Sequence, residues 1–229
     1  MGDDMSESFT DIPIYNTMDN RDIAVLALSF ILVFAVVSMR SLIPSNLKSV
    51  FIFLFPFCGI LYVCRGKLNL IVKRLHKIDL VYIFVYVVFY YMLSMGAGAV
   101  LYYLGFPLKP NAVLNMDKDA VFWILFFVQI LGEELFKLSV FITALSLLYK
   151  YASKIDNCMI AISMILTSVL FGAIHMFAYS SLLQPLLILG LGNLVLIFAY
   201  VQSKNILVPY VSHLIVDLIP LMVTMYLLI

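Results

Sequence analysis

Four ionisable side chains fall where the polypeptide is otherwise apolar: Glu133, Glu134, Lys137 and Asp217. Each costs roughly 2.5–3.5 kcal/mol at the centre of an isolated membrane helix, so unpaired they would cost on the order of 10 kcal/mol together. Groups this costly face a bundle interior, find partners and mark a functional path. His175 and His213 lie in other apolar segments. One buried histidine is more often a satisfied core residue than a ligand. Two of them, with a glutamate pair and an aspartate, point to a shared site. At about 100° per residue, Glu133, Lys137 and Glu134 sit at roughly 0°, 40° and 100°, so Lys137 lies between the two carboxylates. It can neutralise one and leave the other for chemistry. Gln129 lies one turn back on the same face. His213 and Asp217 are four apart, where a carboxylate can fix an imidazole tautomer or share a ligand site. Phe171 and His175 share a helix face, with Ser168 and Gly172 nearby. Gly190, Gly192 and Asn193 form a small, partly polar face suited to close helix packing.

The elements that must position these residues follow from composition. Of 229 residues, 64% are hydrophobic and 12% charged, against about half and about a quarter in soluble domains. The mean hydropathy is +1.09. Apolar runs fall near 22–39, 49–64, 80–105, 120–149, 158–177, 182–202 and 206–229. Helices satisfy their own backbone in lipid, whereas a barrel needs short alternating strands. The expected fold class is therefore all-α: a polytopic membrane protein of about seven transmembrane helices in one bundle. Residues 1–21 read as a flexible polar N-terminal tail and 22–229 as a single transmembrane domain, with the motif-bearing core at about 120–220. The tail lacks the basic start and cleavage site of a secretory signal, so the first apolar run is expected to stay as a helix. A net charge of +1 provides no basic face for nucleic acid. Cys58, Cys64 and Cys158 form neither a disulfide framework nor a zinc spacing and read as small buried hydrophobes.

Lysine and arginine set the expected orientation. The loop after the second run holds Arg65, Lys67, Lys73, Arg74 and Lys77. Alternation from a cytoplasmic position for that loop leaves nine cations inside and four outside, with the N-terminus cytoplasmic. The localisation expected is thus an integral, multi-pass cell-membrane protein.

In order, the chain reads Glu133-Glu134-Leu135-Phe136-Lys137, then Phe171-Gly172-Ala173-Ile174-His175, then His213-Leu214-Ile215-Val216-Asp217. This resembles the CAAX protease and bacteriocin-processing (CPBP, or Abi) family of intramembrane peptidases, with its paired glutamates, F-x-x-x-H and H-x-x-x-N on successive membrane helices. The run Tyr200-Val201-Gln202-Ser203-Lys204-Asn205-Ile206-Leu207-Val208-Pro209 resembles the family's turn before its last motif. The resemblance spans about 120–220. Two positions depart from the pattern: Leu138 stands where the family often has arginine, and Asp217 where it has asparagine.

The resemblance implies an endopeptidase cleaving a membrane-associated peptide or protein. Glu133, His175, His213 and Asp217 are its expected catalytic residues, supported by Glu134, Lys137, Phe171 and Asn193. Glu133 would activate water, the two imidazoles would polarise the carbonyl or hold the water, Asp217 would orient His213, and Glu134 with Lys137 would form a structural pair. Glu133, His175 and His213 also match a catalytic zinc ligand set, so a divalent metal such as zinc is an open cofactor reading. The expected partners are the substrate and the bilayer; the sequence leaves the oligomeric state open. The rival reading is a non-catalytic membrane scaffold or bacteriocin-immunity protein that keeps the fold. A third, a proton-coupled transporter, lacks the internal repeats such proteins often show. Straight helices would leave His175 near the surface opposite the start of the last helix. The segment 176–185, with Tyr179, Ser180, Ser181, Gln184 and Pro185, is therefore expected to dip into the bilayer and line the site's mouth.

Overall fold

The computed structural model describes residues 10–39, 42–110, 118–179 and 181–227. Among them there is no strand, and the expected all-α membrane architecture is what the chain forms. Its long helices are α1 (Asn20–Ser38), α2 (Ser45–Val63), α3 (Lys77–Tyr103), α4 (Ala120–Ala152) and α5 (Asn157–Ile174). A four-residue helix, α6 (Met176–Tyr179), and a π-turn at Pro185–Leu189 lead to α7 (Gly190–Ser203) and α8 (Leu207–Leu227). Six spans are long and apolar enough to cross a membrane: Asn20–Ser38, Ser45–Val63, Lys77–Tyr103, Asn157–Tyr179, Pro185–Ser203 and Leu207–Tyr226. This is an integral membrane protein.

Several helix starts are written locally. Asp19, Asp119 and Asp156 each stand just before a helix and accept a backbone N–H from Asp22 at 2.8 Å, Phe122 at 2.7 Å and Met159 at 2.9 Å. Such caps are typically worth about 1 kcal/mol each. They also explain why these aspartates sit at helix ends rather than in the bundle.

The helix α4 is the axis. At about 1.5 Å per residue its 33 residues run about 50 Å, and every residue from Gly132 to Ser146 is buried. A helix covered on all sides belongs inside a bundle. It packs against α1, α2, α5 and α8, so its charged residues face protein rather than lipid. Gly132 permits a close crossing: a Cβ there would sit 2.6 Å from Cα and N of Phe53 on α2.

The main core gathers Leu26, Ile60, Phe141, Leu145, Tyr200 and Val201. Ile12, Ile14 and Met18 join it. The expectation of a flexible tail over 1–21 is thereby corrected for the stretch from Thr10 onward, where three apolar side chains tie the chain down; residues 1–9 lie outside the described residues. Buried Asp22 pairs with Arg65 at 2.8 Å, fastening the turn after α2 to the start of α1. Asn205 clamps the basic turn to the α7–α8 corner, accepting from Lys73 N and donating to Lys73 O, each at 3.0 Å. Lys204 caps α7 in the left-handed region at φ 52°. Its Nζ donates to the Val201 carbonyl, and burial pushes its pKa down to about 8. Cys64 is buried at the end of α2, where burial pushes its thiol up to about 11, away from the reactive thiolate. Cys58 and Cys158 face outward, contrary to the expected burial, and all three cysteines are free.

Candidate active site

The site forms where α4, α5 and α8 meet. Gln129 and Glu133 are one turn apart on α4, and Gln129 Nε2 donates to Glu133 Oε1 at 2.9 Å. Gln129 is itself positioned from α2, because Ser49 Oγ donates to its Oε1 at 2.7 Å. This relay turns Glu133 Oε2 toward α8, where it lies 3.9 Å from His213 Nε2. That gap is too wide for a direct hydrogen bond.

The other edge of His213 is fixed. Its Nδ1 lies 2.6 Å from Glu134 Oε1. A carboxylate only accepts, so Nδ1 carries the proton, and in the neutral ring Nε2 presents its lone pair. The same Glu134 oxygen pairs with Lys137 Nζ, three residues on. Glu134, Lys137 and His213 are all almost fully buried. Asp217 Oδ2 lies 3.7 Å from His213 Nε2, on the same edge as Glu133. The contacts therefore divide differently from the sequence expectation. Glu134 both pairs with Lys137 and orients His213, while Asp217 flanks the open nitrogen. Sequence spacing favoured Asp217 because it is one turn from His213; Glu134 arrives from another helix.

His175 caps α5. Its Nδ1 is 2.8 Å from the Phe171 carbonyl, so Nδ1 donates and Nε2 is the nitrogen left to other partners. Phe171 links the groups: its ring centre lies 4.6 Å from His175 and 6.2 Å from His213. Lys137 Nζ stands 4.7 Å above the same ring, a cation–π contact made inside the bundle. Asp217 is within electrostatic reach of Glu133, Lys137, His175 and His213. Glu133, Glu134, Lys137, Phe171, His175, His213 and Asp217 are thus linked by direct contacts or electrostatic reach. Asn193 is fully buried on α7, and its Nδ2 donates to Ser168 Oγ at 3.2 Å, one turn before Phe171 on α5.

The segment after His175 turns back sharply. Tyr179 is buried, within electrostatic reach of Asp217 and Glu133. The π-turn then lies against α5 at Gly172, where a Cβ would sit 2.9 Å from Leu186 Cα. Gln184 accepts from Lys109 N at 3.0 Å and donates to Lys109 O at 2.8 Å, fixing this return to the chain after α3. Ser180 lies outside the described residues.

Among the described residues no three His, Cys, Asp or Glu side chains are grouped to hold a metal ion. Glu133, His175 and His213 do not form such a set, so no step is routed through zinc below. Sequence reasoning missed Ser49 and Tyr91. Ser49 is one polar residue in an apolar run, with nothing local to link it to Gln129. Tyr91 donates its hydroxyl to the Val216 carbonyl at 2.7 Å, bracing α8 beside Asp217.

A model of the family described as Type II CAAX prenyl endopeptidase, Rce1-like, matches residues 118–219. The match takes in α4, α5, α7 and most of α8. Neither the curated proteins nor the solved structures contain a match to the chain.

Proposed function

We propose, starting from the membership of residues 118–219 in this family of CAAX-type intramembrane endopeptidases, that the chain hydrolyses a peptide bond of a membrane-associated substrate with a water held between Glu133 and His213. The observation that carries this reading is the 3.9 Å gap between Glu133 Oε2 and His213 Nε2. One water oxygen fits there about 2.8 Å from each acceptor. Gln129 aims one acceptor and Glu134 the other.

In this reading Glu133 takes a proton from the water as its oxygen attacks the scissile carbonyl carbon. A positioned base of this kind typically contributes about 10²–10⁴-fold. His213 Nε2 accepts the second water hydrogen, and Glu134 at Nδ1 holds the ring in the tautomer that can do so. His175 Nε2, when its ring carries a second proton, donates to the oxygen that becomes negative. The tetrahedral intermediate then loses its C–N bond, and the proton held by Glu133 goes to the leaving amine. Lys137 compensates Glu134 rather than touching substrate.

One observation favours a non-catalytic binding protein instead: Asp217 sets a second carboxylate 3.7 Å from the nitrogen that must receive the water. The two readings separate in one experiment. Purified protein in proteoliposomes is incubated with prenylated C-terminal peptides, acylated peptides and leader peptides, and the products are identified by mass spectrometry. A single cleavage site in at least one class supports the peptidase. Tight binding of a peptide with no product from any class supports the binding protein.

A further inference from the structure

A second concave site lies away from the carboxylates, in the outer wall between α3 and α7. Its volume is about 540 Å³, within the about 300–1,000 Å³ of small-ligand pockets. Val81, Val85 and Phe89 form one side, Leu194 and Phe198 the other, and Met164 of α5 contributes to the lining. The polar lining is Tyr82, Tyr86 and Gln202, toward one end, where the Tyr86 hydroxyl donates to Gln202 Oε1. Tyr86 and Gln202 pair with each other, and the groove offers a ligand an apolar slot about 12 Å long, measured from Val81 to Phe89 along α3.

That polar end leads to the densest basic stretch of the chain. Lys77 begins α3 one turn before Val81, about 6 Å along the axis. Lys73 and Arg74 precede it, and all three are exposed. The Asn205 clamp holds the Lys73 backbone against the corner just after Gln202, so the stretch that carries the cations is anchored beside the polar end of the groove. Between residues 65 and 80 the only acid is Asp79, and its carboxylate is occupied in accepting His76 N–H at 2.7 Å. An apolar slot along a membrane helix, with exposed cations beside the helix start, matches the two parts of a charged lipid. Basic residues beside a membrane helix attract anionic headgroups.

We infer that the α3–α7 groove binds an anionic glycerophospholipid, one acyl chain lying along Val85 and Phe89 and its phosphate held by Lys73, Arg74 and Lys77. This site is separate from the proposed peptidase chemistry, and its test does not depend on activity.

The probes are phosphatidylglycerol and phosphatidylcholine with brominated acyl chains. Phe89→Trp in a Trp123→Phe background gives a single fluorophore in the groove, at a position already 52% exposed. Brominated phosphatidylglycerol should quench it at a several-fold lower mole fraction than brominated phosphatidylcholine. Lys73→Glu with Lys77→Glu should erode that preference by about fivefold per cation removed. A reporter at Val223, on the exposed face of α8, should show no preference. Wild-type full-length protein in native mass spectrometry should retain phosphatidylglycerol in excess over phosphatidylcholine, which checks the result without any substitution. Equal quenching by the two lipids, a preference that survives charge reversal, or the same preference at Val223 would overturn the assignment. So would a dimer in which the groove reporter is shielded from both lipids, which would make a second copy the occupant.

Discussion

Glu134→Gln separates the structural and chemical duties of one carboxylate. In the folded protein a single Glu134 oxygen pairs with Lys137 and faces His213 Nδ1 at 2.6 Å. Lys137 is 1% exposed, so the amide removes the carboxylate paired directly with its buried ammonium. Breaking one half of a buried pair costs about 3–5 kcal/mol. For a chain of this size each kcal/mol lowers Tm by about 2–4 °C, giving a loss of roughly 6–20 °C. Thermal unfolding of purified protein in detergent reads this directly. Adding Lys137→Met should recover most of the loss, because replacing both members of a buried pair by neutral groups is often nearly neutral. Activity should stay low in the double variant, since no anion then stands behind His213. The equivalent neutralisation behind the histidine of a serine protease costs about 10⁴-fold. A single variant within 2 °C of wild type, or a double variant no more stable than the single, would refute the shared-oxygen reasoning.

Two further outcomes follow from local geometry. Gly132→Ala places a Cβ 2.6 Å from the Phe53 backbone; such overpacking costs about 1–3 kcal/mol, and turnover should fall with Tm because Glu133 is the next residue. Lys204 gives a pH signature: burial lowers its folded pKa from 10.5 to about 8, so between those values the unfolded state binds more protons and stability rises with pH. Unfolding measured from pH 7 to 11 should show this rise in wild type and lose it in Lys204→Met.

The sequence made the expensive groups visible because a bilayer penalises charge wherever it occurs. Glu133, Glu134, Lys137 and Asp217 stand out from their surroundings without any alignment. The helical spacing of Gln129, Glu133 and Lys137 also showed which of them share a face. Connections between distant segments were not legible in this way. Spacing ties Asp217 to His213 one turn away, whereas the contact at Nδ1 comes from Glu134, 79 positions earlier. Ser49 reaches Gln129 from 80 positions away, and only the α2–α4 crossing at Gly132 reveals why. The tail was misread from Thr10 onward because its aspartates dominate its composition, while Ile12, Ile14 and Met18 do the packing. Polar residues after His175 suggested a dip of the chain there, but the form of the return was not legible in them. Pro185 supplies no N–H at the start of the turn, and Gly172 admits the backbone of Leu186, and neither pattern specifies a π-turn by itself.

Turnover by Glu133→Gln tests the central claim most directly. Wild type and variant are compared in proteoliposomes on the best peptide of the panel, in water enriched in oxygen-18, with unfolding temperature as the check on folding. The account expects wild type to place one heavy oxygen in the new carboxylate of the product. Glu133→Gln should retain its fold and lose about 10²–10⁴-fold in rate. Equal turnover by the two proteins, or no cleavage of any peptide by wild type, would contradict it.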